Sequence, residues 1–501
     1  MPENMIPEAT EPFDLGNGLY VDDLNLAAKL YYISSQHPEQ RQRTDTGFSW
    51  DEMGMGQLFA ECYKHNTRKC PEAKSWFTYD RGVWRRDVGD TLVSEKIKEF
   101  VRLMTLYCLT IKDEDIKSKY TKFIARLGDR RIRTRLKDDA GEVYPIPAAE
   151  FDSHPYLINC LNGTFDLKTM TFREHDWRDY LTMQTNFSYT VDYENAVFPR
   201  WVEFVDEITE HDKAKADYLQ RALGYSIIGS SKEECMFILH GKTTRNGKST
   251  FLGAIDHVLG DYASVSPVSI ICKSERSKNA EQASPNVARL KGKRFVTMAE
   301  SNQYGRLDEE AIKQFTGGEK ISARNLYEAP ITFLPQFTLW LSCNDLPSVQ
   351  DKSLFASDRV RVIEFNRHFS EEERDTSLKD LFRTDVAMRG IFTWLLGGYY
   401  KYRRKKLVMP EHMKKVIRQY EKDNDLVLQF LEEKCERVDK GYTKAKDLYD
   451  RFKYWCKSYG YFEPNIKKFY ANMESHPEWH EGRCKLDGYE CFKGISLKTG
   501  K

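Results

Sequence analysis

The chain has 501 residues, of which 40% are hydrophobic and 31% are charged, and its formal net charge is only +1 at pH 7. A chain of this length and composition folds into roughly two to four soluble domains, and its charge excludes nucleic-acid binding through overall basicity. The 11 cysteines are scattered without a CxxC pair, which predicts reduced thiols in a cytoplasmic protein. The N-terminus does not have a signal-peptide pattern, and the longest apolar run, GIFTWLLGGYY, is too short to span a bilayer, so no membrane role is expected.

The first part of the chain is predicted to mix helices and strands. A helical pattern at 24–32 precedes a linker, and the alternating pattern around Asp80-Arg81-Gly82 then predicts a hairpin. Helices are expected from about 91 to 127, followed by short strands broken at Asn162-Gly163. Two segments with 3.6-residue periodicity, FPRWVEFVDEIT and AKADYLQRALGYSIIG, predict two further helices.

A phosphate-binding loop is the strongest signal of the chain. The apolar strand CMFILH leads into a Gly-rich loop that ends in Gly247-Lys248-Ser249-Thr250 and opens the helical pattern FLGAIDHVLG. Glycines let backbone N–H groups close around phosphates, while the lysine reaches the β and γ oxygens and the serine hydroxyl binds Mg²⁺. The pattern predicts a site for ATP and Mg²⁺, and the alternative is a structural glycine loop.

The loop departs from the usual GxxxxGK[ST] spacing, because five residues rather than four separate Gly241 from Gly247. The predicted nucleotide-binding residues are Gly241, Thr243, Thr244, Arg245, Asn246, Gly247, Lys248, Ser249 and Thr250.

The segments after the loop alternate strands and helices, which predicts an α/β nucleotide-binding core with further polar residues at strand ends. Glu300 is the candidate base that activates water and, with Ser249, a candidate Mg²⁺ contact; the alternative is a solvated carboxylate. Asn344 can orient water against the γ-phosphate, or it can simply form a turn. Arg359 is the candidate arginine finger for a neighbouring subunit; Arg361 on the same strand face could serve instead, and a surface salt bridge is the alternative.

Cations at three places are candidates for contacts with DNA phosphates. The segment KISARNLYEAPITF predicts strand, turn and strand, and its Lys320 and Arg324 could meet DNA in a ring channel or form a charged surface hairpin. Two basic runs could each be a phosphate footprint or a solvated helix face. They are Lys401, Arg403, Arg404, Lys405, Lys406, Lys414, Lys415 and Arg418, and, earlier in the chain, Arg130, Arg131, Arg133 and Arg135.

The C-terminal segment predicts two helices followed by a hairpin that turns on Asp487-Gly488, an order that suggests a winged helix. Tyr449, Phe452 and Trp455 have helical spacing and are expected in the core. The residue types of His476, His480, Cys484 and Cys491 could bind Zn²⁺, but ordinary packing is the preferred interpretation.

The chain resembles superfamily 3 helicases of the phage and plasmid replication type, relatives of the poxvirus helicase-primase. The matching segments are TTRNGKSTF, RFVTMAES, SDRVRVIEF and the run KQFTGGEKISARNLYEAPITFLPQFTLWLSCNDLP; upstream, LINCLNGTFDL and LQRALGYSIIG resemble the domain before the ATPase. The resemblance covers roughly residues 50–400. Glu364 stands where many relatives have proline, which should affect packing rather than chemistry.

The resemblance implies a multidomain α/β protein with a mixed α+β N-terminal domain, an AAA-type P-loop ATPase core and a C-terminal winged helix. The expected units are an N-terminal segment and linker (1–47), an N-terminal domain (48–215), the ATPase (216–400), a basic helical connector (401–425) and the winged-helix-like DNA-binding domain (426–501).

The resemblance also implies a ring, usually a homo-hexamer, that unwinds DNA by ATP hydrolysis and moves 3′ to 5′ on one strand. Lys320 and Arg324 would carry the DNA contacts in the channel, and Lys248, Glu300, Asn344 and Arg359 the catalysis. No room for a primase is expected before the first domain, so priming and other replication steps would need separate proteins. The winged helix could read an origin or grip the fork.

The preferred hypothesis is a replicative helicase of a phage, plasmid or mobile element, acting on single-stranded and forked DNA in the host cytoplasm. An alternative is an origin-binding initiator ATPase with little processive unwinding. A third is an RNA-directed member of the same superfamily.

Overall fold

The computed structural model describes residues 13–14, 20–21, 51–109, 113–190, 197–273, 284–299, 306–326, 330–349, 353–461 and 463–498. Within these residues the fold is mixed α/β, and the largest of its six sheets is a five-stranded parallel sheet. Two short strands, Phe13–Asp14 (β1) and Tyr20–Val21 (β2), pair antiparallel. The helix predicted at 24–32 lies outside the described residues.

The first compact region packs four helices against a three-stranded antiparallel sheet. Its elements are α1 (Glu52–Tyr63), β3 (Thr67–Cys70), β4 (Ser75–Asp80), β5 (Val83–Asp87), α2 (Thr91–Leu109), α3 (Glu114–Arg126) and α4 (Arg130–Val143). The predicted hairpin is confirmed: Asp80 lies opposite Val83, and both turn residues have positive φ. The helices predicted from 91 to 127 are confirmed as α2 and α3, and α4 carries the basic run of Arg130 to Arg135, for which a solvated helix face was one alternative.

The next region joins the core of the parallel sheet. It contains the antiparallel strands β6 (Leu157–Cys160), β7 (Gly163–Asp166) and β8 (Thr171–Arg173), then α5 (Pro199–Ile208) and α6 (Lys213–Ser226). The predicted strands and both predicted helices are confirmed. Phe165, Trp201 and Leu223 share one buried cluster with Phe237 of the parallel sheet. The expected boundary between 215 and 216 falls inside α6, so one core continues on both sides of it.

The parallel sheet alternates with helices along the chain, as predicted. Its strands are β9 (Met236–His240), β10 (Ala263–Val265), β11 (Phe295–Ala299), β14 (Thr338–Cys343) and β15 (Val360–Glu364), in the spatial order β10-β11-β14-β9-β15. The associated helices are α7 (Lys248–Leu259), α8 (Pro285–Ala288), α9 (Glu309–Thr316), α10 (Ser353–Ala356), α11 (Leu378–Leu381) and α12 (Asp385–Lys405). Single-turn 3₁₀ helices lie at Val88–Asp90, Trp177–Asp179, Gly260–Tyr262 and Val268–Ile270.

Both faces of this sheet are covered, which explains why its central strands are almost wholly apolar. Phe237 and Leu239 face the cluster formed with α5, α6, α7 and α12. Met236 and Ile238 face the opposite cluster, which includes α9 and the hairpin of β12 (Ile321–Ala323) and β13 (Ile331–Phe333). The hairpin predicted between Lys320 and 333 is confirmed.

Helix α12 contains the longest apolar run, and the structure explains that run by close packing on α6. A Cβ on Gly224 would lie 2.1 Å from the backbone N of Tyr399, and one on Gly398 would lie 2.1 Å from the backbone O of Gln220. Only glycine allows the two helices to approach this closely. No helix in the described part of the chain is long and apolar enough to cross a membrane.

The C-terminal residues form a small unit with a core of its own. Its elements are α14 (Leu426–Lys434), β16 (Cys435–Lys444), α15 (Ala445–Tyr459), α16 (Ile466–Glu474), β17 (Arg483–Leu486) and β18 (Tyr489–Leu497). The helix before it, α13 (Glu411–Asp423), instead buries Met413 and Tyr420 in the two clusters around the parallel sheet. The predicted helices and the turn at Asp487-Gly488 are confirmed, and Phe452 and Trp455 are buried as expected. Within the predicted basic helical connector (401–425), the chain is helical in the last turns of α12 and again in α13. The helix is interrupted over 406–410, because Pro410 cannot continue it.

Candidate nucleotide site

The predicted phosphate loop connects the carboxyl end of β9 to the first turn of α7. Helix α7 begins at Lys248, and the residue before it, Gly247, has φ 82°. A Cβ on Gly247 would lie 2.5 Å from the Ile208 Cγ2, and one on Gly241 would lie 2.4 Å from the Phe365 backbone O. Both glycines are therefore required by close packing, and Gly247 also by its backbone conformation.

Hydrogen bonds within the loop and from one neighbouring segment hold the middle of the loop in place. The buried Asn246 side chain donates through Nδ2 to the Thr243 backbone O at 2.6 Å, which closes the loop on itself. On the outside, the Arg245 backbone O accepts from the Phe369 N–H at 3.0 Å, and the Thr244 backbone O lies 2.8 Å from His368 Nδ1. The extra residue relative to the usual loop length is thus accommodated at Arg245, which is exposed and has a positive φ of 56°.

Lys248 lies beneath this loop and is almost completely buried, with 6% of its surface exposed. Its Nζ donates to the backbone oxygens of Gly241 at 3.1 Å and Cys343 at 2.6 Å, and to Asn344 Oδ1 at 3.0 Å. The contact forms because β9 and β14 are adjacent parallel strands, with His240 opposite Cys343. Two residues that lie 96 positions apart are therefore brought together at one edge of the sheet.

The other loop residues face outward. Thr243, Thr244 and Ser249 are exposed, and Thr250 is half-buried in the first turn of α7. Hydroxyl groups, backbone N–H groups and the ammonium of Lys248 are the donor types that bind phosphate oxygens, and the Ser249 hydroxyl is also an Mg²⁺ ligand type. The donor set at the start of α7 therefore fits ATP and Mg²⁺, whose phosphates the helix N-terminus would also attract.

His240, the last residue of β9, is a site residue that the sequence analysis missed. It is 6% exposed, and its Nδ1 is buried without a hydrogen-bond partner. Burial, with a further contribution from Lys248, lowers the pKa of the His240 imidazole despite the opposing effect of Glu364, so this ring is neutral at pH 7. Its position at the end of the apolar strand, next to Gly241, was the only available sequence signal.

Glu300, the candidate base and metal contact, lies outside the described residues. The strand that leads to it, β11, ends at Ala299, which pairs with Ser342 of β14. The carboxyl end of β11 is therefore beside the carboxyl end of β14, at the edge where Lys248 and Asn344 meet.

Arg359 lies at the opposite edge of the sheet. Its backbone O accepts from the Met236 N–H at 2.8 Å, at the amino end of β9. Its guanidinium donates to Thr316 Oγ1 at 2.8 Å and pairs with Glu234. It also lines a cleft of about 960 Å³, together with Glu234 and Lys313. Neither Glu234 nor Thr316 had a local sequence signal, because both reach Arg359 through the fold.

The surroundings of Arg361 differ from those of Arg359. It is 8% exposed, donates to the Leu407 backbone O at 2.7 Å and lies 3.9 Å from Glu233. The alternation predicted for the two arginines does not extend to Arg359, because β15 begins only at Val360. Arg361 is thus held inside its own chain.

The remaining candidates are distant from the loop. Lys320 and Arg324 are exposed at the two ends of β12, and the Arg324 backbone O accepts from the Ser284 N–H at 2.9 Å.

In the C-terminal unit, the candidate zinc ligands have other partners: His476 lies 2.8 Å from Asp425 and His480 lies 2.9 Å from the Met473 backbone O. Within the described ranges no group of His, Cys, Asp or Glu side chains is arranged to hold a metal ion.

The later basic run is largely engaged within the chain. Lys401 and Lys405 both reach Asp217, at 3.1 Å and 3.8 Å, and Lys414 and Arg418 both reach Glu411. In the same run, the side chains of Arg403 and Arg404 lie over tyrosine rings of their own helix.

All 11 cysteines lie in the described part of the chain, and none forms a disulfide.

Family models match three parts of the chain. A model described as D5 N terminal like matches residues 56–210, a family of unknown function matches 239–359, and a Poxvirus D5 protein-like model matches 422–491. The loop and Arg359 lie within the second match.

Curated relatives come from large DNA viruses. The chain is 27% identical over 441 residues to "Putative helicase L207/L206" of Acanthamoeba polyphaga mimivirus, covering 81% of this chain and 45% of that protein. It is 25% identical over 336 residues to "Putative helicase 121R" of Invertebrate iridescent virus 3, covering 61% of this chain and 35% of that protein. It is 21% identical over 282 residues to "Primase D5" of Fowlpox virus, covering 51% of this chain and 35% of that protein. The chain spans less than half the length of each of these relatives.

Among solved structures, the match to the apo structure of the NrS-1 C terminal region covers 89% of this chain and 99% of that chain. The two chains are 12% identical, and the TM-score is 0.46, a likeness too low to support an argument. The family models and the viral relatives carry the assignment instead. The resemblance to superfamily 3 helicases of the poxvirus type, predicted from the motifs, is confirmed.

Proposed function

We propose that the chain is an ATP hydrolase that drives a DNA helicase in the replication of a virus, phage, plasmid or other mobile element. The observation that carries the proposal is the 3.0 Å contact between Lys248 Nζ and Asn344 Oδ1, directly before the first turn of α7. A buried ammonium, an amide and a helix N-terminus at the carboxyl ends of adjacent parallel strands form a place suited to a triphosphate.

Each residue of this edge has a role in the proposal. ATP with Mg²⁺ supplies the phosphoanhydride bond whose hydrolysis releases the free energy for movement. Lys248 would bind phosphate oxygens in place of its carbonyl and amide acceptors, and the Ser249 hydroxyl would hold Mg²⁺. Asn344, released from Lys248, orients the attacking water, and Glu300 accepts the proton from it.

Arg359 would act on the nucleotide of a neighbouring copy. The residues from Met236 to His240 span about 13 Å of extended strand, so Arg359 at one end cannot reach the loop at the other end of the same chain. A ring with heterologous contacts, proposed here as a homo-hexamer, brings the Arg359 edge of one copy to the loop of the next. The cleft around Arg359 offers room for that neighbour.

In this proposal, the parts of the chain outside the parallel sheet contact DNA. Lys320 and Arg324 on the exposed hairpin contact one strand in the channel, with movement in the 3′ to 5′ direction. Residues 216–400 form an AAA-type core, 48–215 the domain before it, 401–425 the connector and 426–501 a winged helix that binds an origin or a fork. A separate primase would start the new strand.

Strand displacement on a forked DNA tests the proposal, with the Lys248→Ala variant as the matched control. ATP-dependent displacement by the parent protein, absent in the variant, is the expected result. ATP hydrolysis without displacement would instead favour the origin-binding initiator, especially if origin binding survives Lys248→Ala. Stronger stimulation of hydrolysis by RNA than by DNA would favour the RNA-directed alternative.

A further inference from the structure

The segment from Lys117 to Lys137 is far more basic than the chain as a whole. It contains nine Lys or Arg residues and a single acid, Asp129, which leaves a net charge of +8 in a chain whose total is only +1. The segment forms the second half of α3, a short turn and the first half of α4. Like charges this close repel one another, so their concentration lowers the stability of the free protein.

Three of these cations are engaged within the chain. Lys117 pairs with Glu114 at 3.0 Å, and Lys137 pairs with Asp90 at 2.8 Å. Arg133, part of the basic run seen in the sequence, donates to the Leu127 backbone O at 2.9 Å and helps to end α3. The other six are exposed and are called the basic ridge here: Lys119, Lys122, Arg126, Arg130, Arg131 and Arg135.

The basic ridge is continuous across the two helices. Lys119, Lys122 and Arg126 have the i, i+3, i+7 spacing of one face of α3. Arg126 lies 3.8 Å and Arg135 of α4 lies 3.4 Å from the same carboxylate, Glu52, which joins the two faces. One carboxylate thus neutralises at most part of the charge of two arginines.

Four cations of the ridge, Lys119, Lys122, Arg130 and Arg131, take part in no ion pair with any residue that the structure describes. Arg130 and Arg131 open α4, and the N-cap carboxylate of Asp129 accepts from the Arg131 backbone N–H at 2.7 Å. Cations at this end of a helix oppose its dipole, whereas an anion bound there would be attracted by it. Asp129 is the one acid within 117–137, so the positive charge of the two arginines at this helix end is offset only in part.

The composition of the ridge distinguishes between kinds of polyanion partner. No large apolar side chain between 117 and 137 is exposed. Insertion into a membrane interface and stacking on unpaired bases both need exposed apolar or aromatic residues, which the ridge lacks. A row of Lys and Arg without them fits the regularly spaced phosphates of a nucleic-acid backbone.

We propose that the basic ridge is a second DNA-binding surface, which holds the phosphate backbone of DNA apart from the hairpin of Lys320 and Arg324. The proposal rests on the proposed function only in that the protein acts on DNA, and it requires no ATP hydrolysis. Because the contacts are to phosphates, the ridge should bind single strands and duplexes without regard to sequence.

The test compares two variants with the same change in net charge. The ridge variant is Lys119→Gln, Lys122→Gln, Arg130→Gln, Arg131→Gln. The control variant removes four cations that each pair with a carboxylate two to four residues away and lie outside both basic runs: Lys64→Gln, Lys98→Gln, Arg178→Gln and Arg389→Gln. Fluorescence anisotropy without nucleotide measures Kd for a labelled single strand and its duplex at 50–200 mM NaCl.

The ridge variant is expected to bind both DNAs at least about tenfold more weakly, with the slope of log K against log salt shallower by about 3. The control variant should remain within about threefold of the parent, because its charges are neutralised locally. The Tm of the ridge variant should stay equal to that of the parent or rise by about a degree, because two cations leave the helix N-terminus. A fall in Tm of several degrees would assign the ridge a structural role and overturn the proposal.

Three other outcomes would overturn it. Equal Kd and equal salt slope for the ridge and control variants would show that DNA does not contact the ridge, and the proposed function would still stand if the parent unwinds DNA. Loss of self-association by the ridge variant, with unchanged DNA affinity, would assign the ridge to contacts between copies. A parent protein that neither binds nor unwinds DNA would contradict both proposals.

Discussion

Strands β9 and β15 are parallel neighbours, and the side chains near their carboxyl ends differ in chemistry from those near their amino ends. At the carboxyl end, Lys248 and Asn344 are brought within 3.0 Å by adjacent strands of one chain. At the amino end, Arg359 is held by Glu234 and Thr316 beside an open cleft. One end holds a buried ammonium beside an amide, whereas the other holds a largely buried arginine paired with Glu234.

Under the proposed function, this difference would divide the work between copies of the chain. A parallel sheet gathers polar groups where its strands end, so one chain can build a phosphate site at that edge alone. A cation at the other edge is separated by the full length of the strands and can complete the site only for a neighbour. The following predictions separate the two ends, from the largest expected effect to the smallest.

Lys248→Ala is expected to have the largest effect, because it removes the ammonium at the carboxyl end. Nucleotide affinity should fall by more than about 100-fold and hydrolysis should become undetectable, as for loss of a phosphate-binding lysine. The matched control is Lys242→Ala, in the same loop but exposed. Titration with a fluorescent ATP analogue and a phosphate-release assay measure both quantities. Similar results for the two variants would contradict the assignment of Lys248.

Arg359→Ala is expected to separate hydrolysis from binding. Turnover should fall by about 10³-fold or more, as for loss of an arginine finger, while nucleotide affinity stays within a few-fold of the parent. The same phosphate-release and titration assays measure the two quantities. Arg359→Lys should recover little of the activity, because an ammonium lacks the planar fork of a guanidinium. Normal turnover in the alanine variant would remove Arg359 from the mechanism.

Asn344→Ala tests the second residue of the carboxyl end. Losing one oriented polar group at a reacting phosphate should lower kcat by about 100-fold with a smaller change in KM. Steady-state kinetics of ATP hydrolysis give both values. If KM rose while kcat stayed unchanged, Asn344 would contribute to binding rather than to the orientation of water.

Thr316→Val should have the smallest effect, at the amino end. The change removes the hydroxyl that accepts from Arg359 at 2.8 Å but keeps the shape of the side chain. Loss of one such hydrogen bond should lower kcat by about fivefold without changing KM. A kcat equal to that of the parent would show that Glu234 alone positions the guanidinium.

Local patterns made much of the fold predictable. The strand, loop and helix around Lys248, the turn at Arg81-Gly82 and the turn at Asp487-Gly488 depend on residues close in sequence, and each is confirmed in the structure. Strand β16 escaped prediction because CERVDKGYTK is mostly polar and exposed, and only its pairing with the distant β18 makes it a strand. For α4, a helix face was only one alternative for its arginine run, although Leu136 and Ala140 have helical spacing.

The candidate site was predictable as a set of residue types but not as an arrangement. Asn344 was chosen for its position after a strand, and its contact with Lys248 depends on the order of strands in the sheet. The burial of Arg361 follows from where β15 begins and from contact with Leu407, neither of which has a local signal. The brace from His368 to Thr244 likewise joins segments 124 residues apart.

The most direct test of a nucleotide site shared between two copies is to mix the Lys248→Ala and Arg359→Ala proteins and to measure ATP hydrolysis. Each variant alone should be inactive, whereas in a mixed ring an intact Lys248 edge can meet an intact Arg359 edge. An equal mixture should then recover up to about a quarter of the parent activity, the fraction of interfaces with both edges intact in a randomly mixed ring. A mixture as inactive as its components, despite subunit exchange, would contradict the account.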